Sequence, residues 1–185
     1  MSQALDSASP DSPAPSWLTW MRRALVCAEQ AEREGEVPVG ALVVRDGEIL
    51  GEGSNLTLQL GDPTGHAEIV ALRRAAARVR NHRLGGATLI TTLEPCLMCF
   101  GAILECRIAV VVYGAADPLR GAVPLWKSGA LSRYPVGDLQ VVAGVAEAEC
   151  TAQLKKWFAG RRSEPPDLRG GAEPAKSSFQ MRRGA

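Results

Sequence analysis

Two short motifs carry the residue types that bind metal ions. His-Ala-Glu occupies residues 66–68, and Pro-Cys-Leu-Met-Cys occupies residues 95–99. Together they form the pattern H-x-E…P-C-x-x-C, which supplies one imidazole, two thiolates and one additional carboxylate. Zn²⁺ prefers nitrogen and sulfur ligands, and a site with three protein ligands keeps its fourth position open, as catalytic zinc sites do. The pattern therefore predicts a catalytic site that binds one zinc ion per chain.

The spacing of the motif residues assigns a role to each of them. Cys96 and Cys99 stand three residues apart, so they share one face of a helix, and Pro95 suits the first turn of that helix. The positive end of the helix dipole lowers thiol pKa values, which favours thiolate ligands. His66 is the predicted third ligand, from a second helix. Glu68 is not needed as a ligand, and a carboxylate beside the metal is well placed to move protons.

Other interpretations of the same residues need to be weighed. A C-x-x-C motif alone is often structural or redox-active, and H-x-E alone usually lies on a helix surface. A closed structural zinc site needs a fourth ligand, and the other histidine of the chain, His82, lies in an arginine-rich segment. A zinc-stabilised binding protein without catalysis is the alternative from a different class. Glu68 argues against it, because such a protein has no need of this carboxylate.

Hydrophobic periodicity predicts the elements that position these motifs. Asp46-Gly47 is a strong hairpin-turn signal between the first two strands, whereas glycine and proline interrupt residues 114–136, which we leave unassigned. A loop is predicted over 54–65. The predicted helices cover 16–34, 66–80, 95–106 and 145–159, the last ending at Gly160, and the predicted strands cover 39–45, 48–53, 87–92, 108–113 and 139–143.

This alternation of helices and short strands is typical of an α/β protein. We predict a three-layer α/β/α sandwich with a central mixed sheet of about five strands. Both metal motifs open helices, so the two helix N-termini are expected to meet beside the sheet. Residues 16–160 are predicted to form one zinc-dependent domain. Residues 1–15 and the basic segment 161–185 are rich in proline, glycine, serine and charge, and are predicted to be disordered tails.

Composition excludes several classes of protein. The chain has 185 residues, 46% of them hydrophobic, and a net charge of +1, so it is expected to be globular and not a strong general nucleic-acid binder. No targeting segment is visible, and no stretch approaches the ~18 apolar residues that a membrane helix requires. Cys27, Cys106 and Cys150 are predicted to be buried free thiols. We therefore expect a cytoplasmic protein without membrane association.

The chain resembles the bacterial tRNA-specific adenosine deaminase family within the cytidine deaminase-like superfamily, whose zinc signature is the H-x-E…P-C-x-x-C pattern. The resemblance extends from about Trp20 to Arg162, and the catalytic block is its most specific part. It is carried by Val-Pro-Val-Gly-Ala (37–41), Gly-x-Asn (53–55), Asp-Pro-Thr-Gly-His-Ala-Glu (62–68), Thr-Leu-Glu-Pro-Cys-Leu-Met-Cys (92–99), Gly-Ala-Ile-Leu (101–104) and a last helix with Glu149-Cys150 and Trp157-Phe158.

The resemblance implies a reaction and a set of roles. Water, activated by zinc, would attack C6 of adenine, and ammonia would leave, so that the wobble adenosine of a tRNA anticodon becomes inosine. The implied partners are the anticodon stem-loop and a second copy of the chain in a homodimer. By this resemblance, His66, Cys96 and Cys99 would bind zinc, and Glu68 would transfer protons. Asn55, the backbone of Ala67 and the carbonyl of Glu94 before Pro95 would recognise the base. Asp117 would lie near the sugar.

The chain departs from the family pattern beside this predicted substrate site. Family members usually have arginine directly before the residue that corresponds to Asp117, and here Ala116 stands there. A loop of the Lys-Thr-Gly-Ala type usually follows, and here it is replaced by residues 118–126. Related enzymes that act on free guanine, cytosine or nucleosides share the catalytic block. Deamination of a free base or nucleoside is therefore the alternative activity.

A run of arginines favours an RNA substrate. Arg73, Arg74, Arg78, Arg80 and Arg83 cluster in a stretch without any acidic residue between Ile69 and Leu93. Such a run neutralises phosphates when it faces RNA, and otherwise it is a solvated helix face. We predict Arg73, Arg74 and Arg78 as possible RNA contacts.

Overall fold

The computed structural model describes residues 16–131 and 139–162. Of the two predicted tails, residues 1–15 lie outside these ranges, as do all residues of 161–185 after 162. Helices and strands alternate along most of the chain, as predicted. Their order is α1 (Trp17–Arg33), β1 (Gly40–Arg45), β2 (Glu48–Ser54), α2 (Thr57–Leu60), α3 (Ala67–Val79), β3 (Thr88–Leu93), α4 (Leu97–Glu105), β4 (Val110–Ala115), α5 (Val123–Lys127), β5 (Gln140–Val142) and α6 (Glu147–Arg162).

The five strands form one mixed sheet in the order β2-β1-β3-β4-β5. β1 runs antiparallel to β2 and β3, while β3, β4 and β5 are parallel. Asp46 and Gly47 join β1 to β2 with positive φ angles of 52° and 76°, as a two-residue hairpin requires. Parallel neighbours need a crossover connection, and α4 supplies it between β3 and β4. The prediction of a mixed sheet of about five strands is confirmed.

Helices cover both faces of this sheet, because successive side chains of a strand point to opposite faces. On one face, Leu42 and Ile90 pack with Met21 of α1 and Cys150 of α6. The opposite face is covered by α3 and α4. Its buried cluster includes Val43, Leu89 and Val111 from the sheet, Ala71 and Leu72 from α3, and Phe100 and Ile103 from α4. The three-layer α/β/α sandwich is therefore confirmed.

Glycines of β2 let α3 approach the sheet closely. A Cβ atom on Gly51 would collide with the backbone of Ala71 and Ala75, and one on Gly53 would collide with the backbone of Ala67. A larger residue at either position would push the helix away from the strand. Since α3 begins directly after His66, this close packing also fixes the height of the predicted zinc ligand above the sheet.

Several predicted boundaries are wrong by a few residues. The helix with the two cysteines begins at Leu97, so Pro95 precedes it and Cys96 occupies the N-cap position. β4 begins at Val110 rather than at 108, because Arg107 has a left-handed φ of 57° that ends the preceding turn. The short helices α2 and α5, of four and five residues, were missed, since such lengths show no periodicity.

The predicted end of the last helix at Gly160 is also wrong. α6 continues through this glycine to Arg162, because one glycine inside a helix costs only about 1 kcal/mol. The Arg161 guanidinium donates a 2.8 Å hydrogen bond to the carbonyl of Gly35 and lies over the Trp157 ring, 4.9 Å from its centroid. The last turn of α6 is thereby attached to the end of α1.

The cysteines outside the motif are free thiols, as predicted. Cys27 and Cys150 are buried, whereas Cys106 is only half-buried. No helix within the two described ranges is both long enough and apolar enough to cross a membrane.

Candidate metal centre and active site

The N-termini of α3 and α4 bring three metal-binding side chains together. The Nδ1 atom of His66 lies 3.6 Å from the Sγ of Cys96 and 3.5 Å from the Sγ of Cys99, and all three ligand atoms lie within 4.8 Å of one another. A tetrahedral zinc site with ordinary bond lengths separates a nitrogen from a sulfur ligand by about 3.6 Å. The triangle therefore has the chemistry and the dimensions of a zinc site.

Both motifs place a predicted ligand at the N-cap of a helix. His66 and Cys96 are the N-cap residues of α3 and α4, and both have extended backbone angles, with ψ of 150° and 170°. Their side chains therefore leave the chain just ahead of a helix, while Cys99 lies in the first turn of α4. The positive ends of the two helix dipoles make this region favourable for thiolate charge.

The three groups share protons through their hydrogen bonds. The hydrogen bond from Cys99 lowers the pKa of Cys96 to about 4, and the same contact raises the pKa of Cys99. The hydrogen bond to Cys96 raises the pKa of His66. Metal ligands must be deprotonated. A divalent cation is therefore expected to displace these shared protons when it binds.

Glu68 lies beside the triangle but is not part of it. Its side chain is buried, at 4% exposure, one helical residue after Ala67, and it lines the same cavity as His66 and Cys96. Burial raises the pKa of its carboxyl group to about 7. A carboxyl group that can exchange a proton near neutral pH is suited to acid–base catalysis.

The ligands open into a cavity of about 170 Å³. This volume is below the ~300–1,000 Å³ typical of pockets for drug-sized ligands, so it suits a single ring system. A larger groove of about 660 Å³ lies between α1 and α6, but it contains none of the motif residues. The smaller cavity is lined by Val37, Val39, Asn55, Thr57, His66, Glu68, Leu93, Glu94, Cys96, Asp117 and Arg120.

Asn55 follows β2 and lines this cavity with a side chain that is 8% exposed. Its Oδ1 atom accepts a 3.0 Å hydrogen bond from the backbone N–H of Ala67. The N–H of Ala67 is therefore used to orient Asn55, and base recognition by the backbone of Ala67 stays a prediction. The Nδ2 group of Asn55 is left as the donor that a base could use.

The side chain of Glu94 has a function that the sequence analysis missed. Its carboxylate is buried, at 5% exposure, and accepts hydrogen bonds of 3.1 Å from the N–H groups of Asp117 and Val123. A Cβ atom on Gly121 would collide with this carboxyl group. Only the carbonyl of Glu94 was expected to act, whereas its carboxylate holds the loop from 117 to 123. An acidic residue at the end of a buried strand was the available signal.

Pro95 contributes to the same loop attachment. Its side chain is buried, and its carbonyl accepts a 3.0 Å hydrogen bond from the N–H of Ala122. Because Pro95 is not among the residues that line the cavity, its observed contact is with the loop.

Asp117 organises the turn that follows it. Its Oδ1 atom accepts hydrogen bonds of 3.0 Å from the N–H groups of Leu119 and Arg120, and its Oδ2 atom lies 3.6 Å from the Nε of Arg120. Arg120 reaches the cavity and was missed, because it lies in the segment that periodicity could not assign. Its position three residues after an aspartate in a glycine- and proline-rich loop was the available signal.

A second buried carboxylate holds the opposite rim of the cavity. Glu36 is fully buried and accepts hydrogen bonds from the Thr57 hydroxyl (2.8 Å) and from the N–H groups of Leu58 (2.7 Å) and Gln59 (3.0 Å). These contacts cap the short helix α2, which brings Thr57 to the cavity. Glu36 lies in the connection between α1 and β1, where no sequence pattern predicted a role for it.

The arginines predicted as possible RNA contacts have partners within the chain, and RNA contact by them stays a prediction. Arg74 donates a 2.9 Å hydrogen bond to the carbonyl of Glu52, and Arg78 bonds to the carbonyl of Ile49 and to the carboxylate of Glu48. Arg73 lies 3.7 Å from Asp62. None of the three lines the cavity. Their contacts favour the alternative interpretation, in which arginines on a solvated face of α3 pair with neighbouring segments of the chain.

Comparisons with known proteins agree with this geometry. Residues 16–115 match the family model of the cytidine and deoxycytidylate deaminase zinc-binding region. The chain is 46% identical over 153 residues to the tRNA-specific adenosine deaminase of Haemophilus influenzae, covering 78% of this chain and 84% of that protein. A solved structure from a study of A-to-I editing by tRNA:A34 deaminases is 40% identical, with a TM-score of 0.70 over 74% of this chain and 99% of that one.

A further solved structure shares the fold alone. The guanine deaminase of Nitrosomonas europaea is 23% identical, with a TM-score of 0.69 over 86% of this chain and 98% of that one. At this identity the likeness shows only that the same sandwich is present.

Proposed function

This chain belongs to the cytidine and deoxycytidylate deaminase family of zinc-binding proteins and, within it, to the tRNA-specific adenosine deaminases, and from this membership we propose that it converts the wobble adenosine of tRNA to inosine. The observation that carries the proposal is the triangle of His66, Cys96 and Cys99 at a cavity large enough for one nucleobase, with Glu68 buried beside it. An adenine base turned out of the anticodon loop would enter this cavity.

The cofactor is one zinc ion per chain, and His66, Cys96 and Cys99 are proposed to hold it. When bound, zinc supplies a Lewis acid that makes water nucleophilic near neutral pH. Glu68 is proposed to accept a proton from the attacking water and to deliver protons to the ring and to the departing amino group. One C–N bond of adenine breaks and one C–O bond forms, so water is consumed and ammonia is released with each inosine.

The residues around the cavity are proposed to bind and orient the base. Asn55 would donate a hydrogen bond to the ring through Nδ2, because its Oδ1 is engaged by Ala67. The backbone carbonyl of Glu94 would face the edge of the base, and Asp117 would lie near the sugar. The buried carboxylates of Glu36 and Glu94 would keep the two rims in place. These contacts exclude water from the base and limit its orientation.

A substrate panel tests this proposal. Zinc-loaded protein is expected to form inosine in an anticodon stem-loop with adenosine at the wobble position, and to release one ammonia for each inosine. Guanine, cytosine, adenosine and cytidine are assayed in parallel, together with a stem-loop in which the adenosine is moved by one position. Rapid turnover of a free base without inosine in the RNA would contradict the proposal and favour the free-base alternative, for which the altered loop at 118–126 is the motivation.

We also propose that the working form is a homodimer in the cytoplasm. The first turn of α4 exposes apolar side chains at Leu97 (54%) and Met98 (38%), and Phe158 of α6 is 44% exposed, which suits an interface. Zinc-binding thiols and free cysteines suit a reducing compartment. Light scattering at micromolar concentration is expected to give about twice the chain mass of 19.6 kDa. A mass that stays at the monomer value up to the highest soluble concentration would contradict the dimer.

A further inference from the structure

We propose that Arg120 binds a backbone phosphate next to the target adenosine and thereby selects a nucleotide within an RNA chain over a free base. This inference rests on the proposed function and adds a residue that sets specificity. It depends on three observations: how the loop from 117 to 123 is held, where Arg120 lies, and how small the cavity is.

Hydrogen bonds to Glu94 and Asp117 hold the loop that carries Arg120 in place. The buried carboxylate of Glu94 accepts hydrogen bonds from the N–H groups of Asp117 and Val123, at the two ends of the loop. The Asp117 carboxylate accepts the N–H of Arg120 itself. The backbone of Arg120 is therefore fixed beside the cavity, and the side chain starts from a defined point at the rim.

Arg120 is the single lysine or arginine among the described residues that line the cavity, where it faces the carboxylates of Glu68, Glu94 and Asp117. Its side chain is 70% exposed, and its contact with Asp117 is a 3.6 Å pair through Nε. An exposed pair of this kind contributes little to stability. The pair instead orients the guanidinium group through Nε. Among the described residues no group accepts a hydrogen bond from Nη1 or Nη2, so these terminal nitrogens can bind a ligand.

The size of the cavity decides what such a ligand is. A volume of about 170 Å³ admits the base, so the sugar and the flanking phosphates of a polynucleotide must lie at the rim. A guanidinium group binds phosphate oxygens through paired N–H donors. A free base brings no phosphate to this position. The guanidinium group of Arg120 at the rim therefore adds binding affinity for an RNA chain and adds none for a free base.

The test compares Arg120→Ala with Arg33→Ala in the zinc-loaded full chain. Arg33 is a matched control, because its side chain is 67% exposed and pairs with Glu29 on the same helix. For the anticodon stem-loop, Arg120→Ala is expected to raise KM by roughly tenfold with little change in kcat. The slope of log affinity against log salt concentration should fall by about 0.7–1, as expected for one lost phosphate contact. Arg120→Lys should recover part of the affinity, since it restores the charge.

A chemical change in the RNA provides the second arm. Stem-loops with an uncharged methylphosphonate linkage on either side of the target adenosine are assayed with both variants. One of these linkages is expected to raise KM for Arg33→Ala by about the same factor as Arg120→Ala does, and to have almost no further effect in Arg120→Ala. The position of the effective linkage identifies the phosphate.

Two different results would overturn the inference, and they are distinguishable. If the wild-type chain forms inosine in the stem-loop but Arg120→Ala matches Arg33→Ala in KM and salt slope, the role of Arg120 is wrong and the proposed function stands. If the wild-type chain deaminates a free base and leaves the RNA unchanged, the proposed function fails and the phosphate contact fails with it.

Discussion

Replacement of Glu68 by glutamine is expected to lower the rate of inosine formation by about 10²–10⁴-fold while the protein keeps its zinc. Glutamine has nearly the same volume and fills the same buried position, so the packing of α3 is preserved. It cannot exchange a proton with the attacking water or with the leaving amino group. The loss should therefore appear in kcat, measured by single-turnover assays on the anticodon stem-loop.

Two further measurements separate this effect from misfolding. Elemental analysis should give about one zinc per chain for Glu68→Gln, and its Tm should be no lower than that of the wild type. Glu29→Gln, which changes an exposed glutamate of α1, is the control and should keep the normal rate. A zinc-loaded Glu68→Gln protein with near-normal turnover would refute the assignment of Glu68 as the acid–base group.

Replacement of Cys99 by alanine is expected to abolish zinc binding and activity together. The substitution leaves only His66 and Cys96 as ligands, and two ligands from the chain are too few for a stable zinc site. Elemental analysis of the purified variant should fall from about one zinc per chain to nearly none. Because zinc that binds only the folded chain stabilises it, the Tm of the variant should also fall to that of the chelator-treated wild type.

Cys106→Ala is the matched control for this experiment. Cys106 lies at the C-terminal end of the same helix, half-buried and outside the ligand triangle. Its substitution should leave the zinc content and the rate of deamination unchanged. Retention of a full equivalent of zinc by Cys99→Ala would exclude the proposed ligand set.

The altered loop at 118–126 has a structural interpretation that its sequence did not reveal. Leu119 is almost completely exposed, at 91%, and Arg120 lies at the cavity rim. The two ends of the loop are attached through Glu94 and Pro95. The backbone of the loop is therefore held in place, while the side chains of Leu119 and Arg120 are presented where a substrate would meet them.

The sequence alone determined the chemistry of the centre and the class of the fold. His66, Cys96 and Cys99 are identifiable because ligand type and helical spacing are local properties. The strands are identifiable because burial on a sheet imposes a pattern on consecutive residues. The starts of the four predicted helices agree with the structure to within two residues, since N-cap and first-turn preferences are also local.

The tertiary structure alone decided how distant segments meet. Glu36 and Glu94 accept hydrogen bonds from backbone N–H groups that lie 22 to 29 residues further along the chain, and no local pattern marks such a partner. The same is true of Arg74 and Arg78, whose hydrogen-bond partners in β2 lie 22 to 30 residues away in sequence. A buried carboxylate can accept a hydrogen bond from any N–H group that the fold brings near it. The partner of such a carboxylate therefore depends on the packing of the whole sandwich and not on the neighbouring residues in sequence.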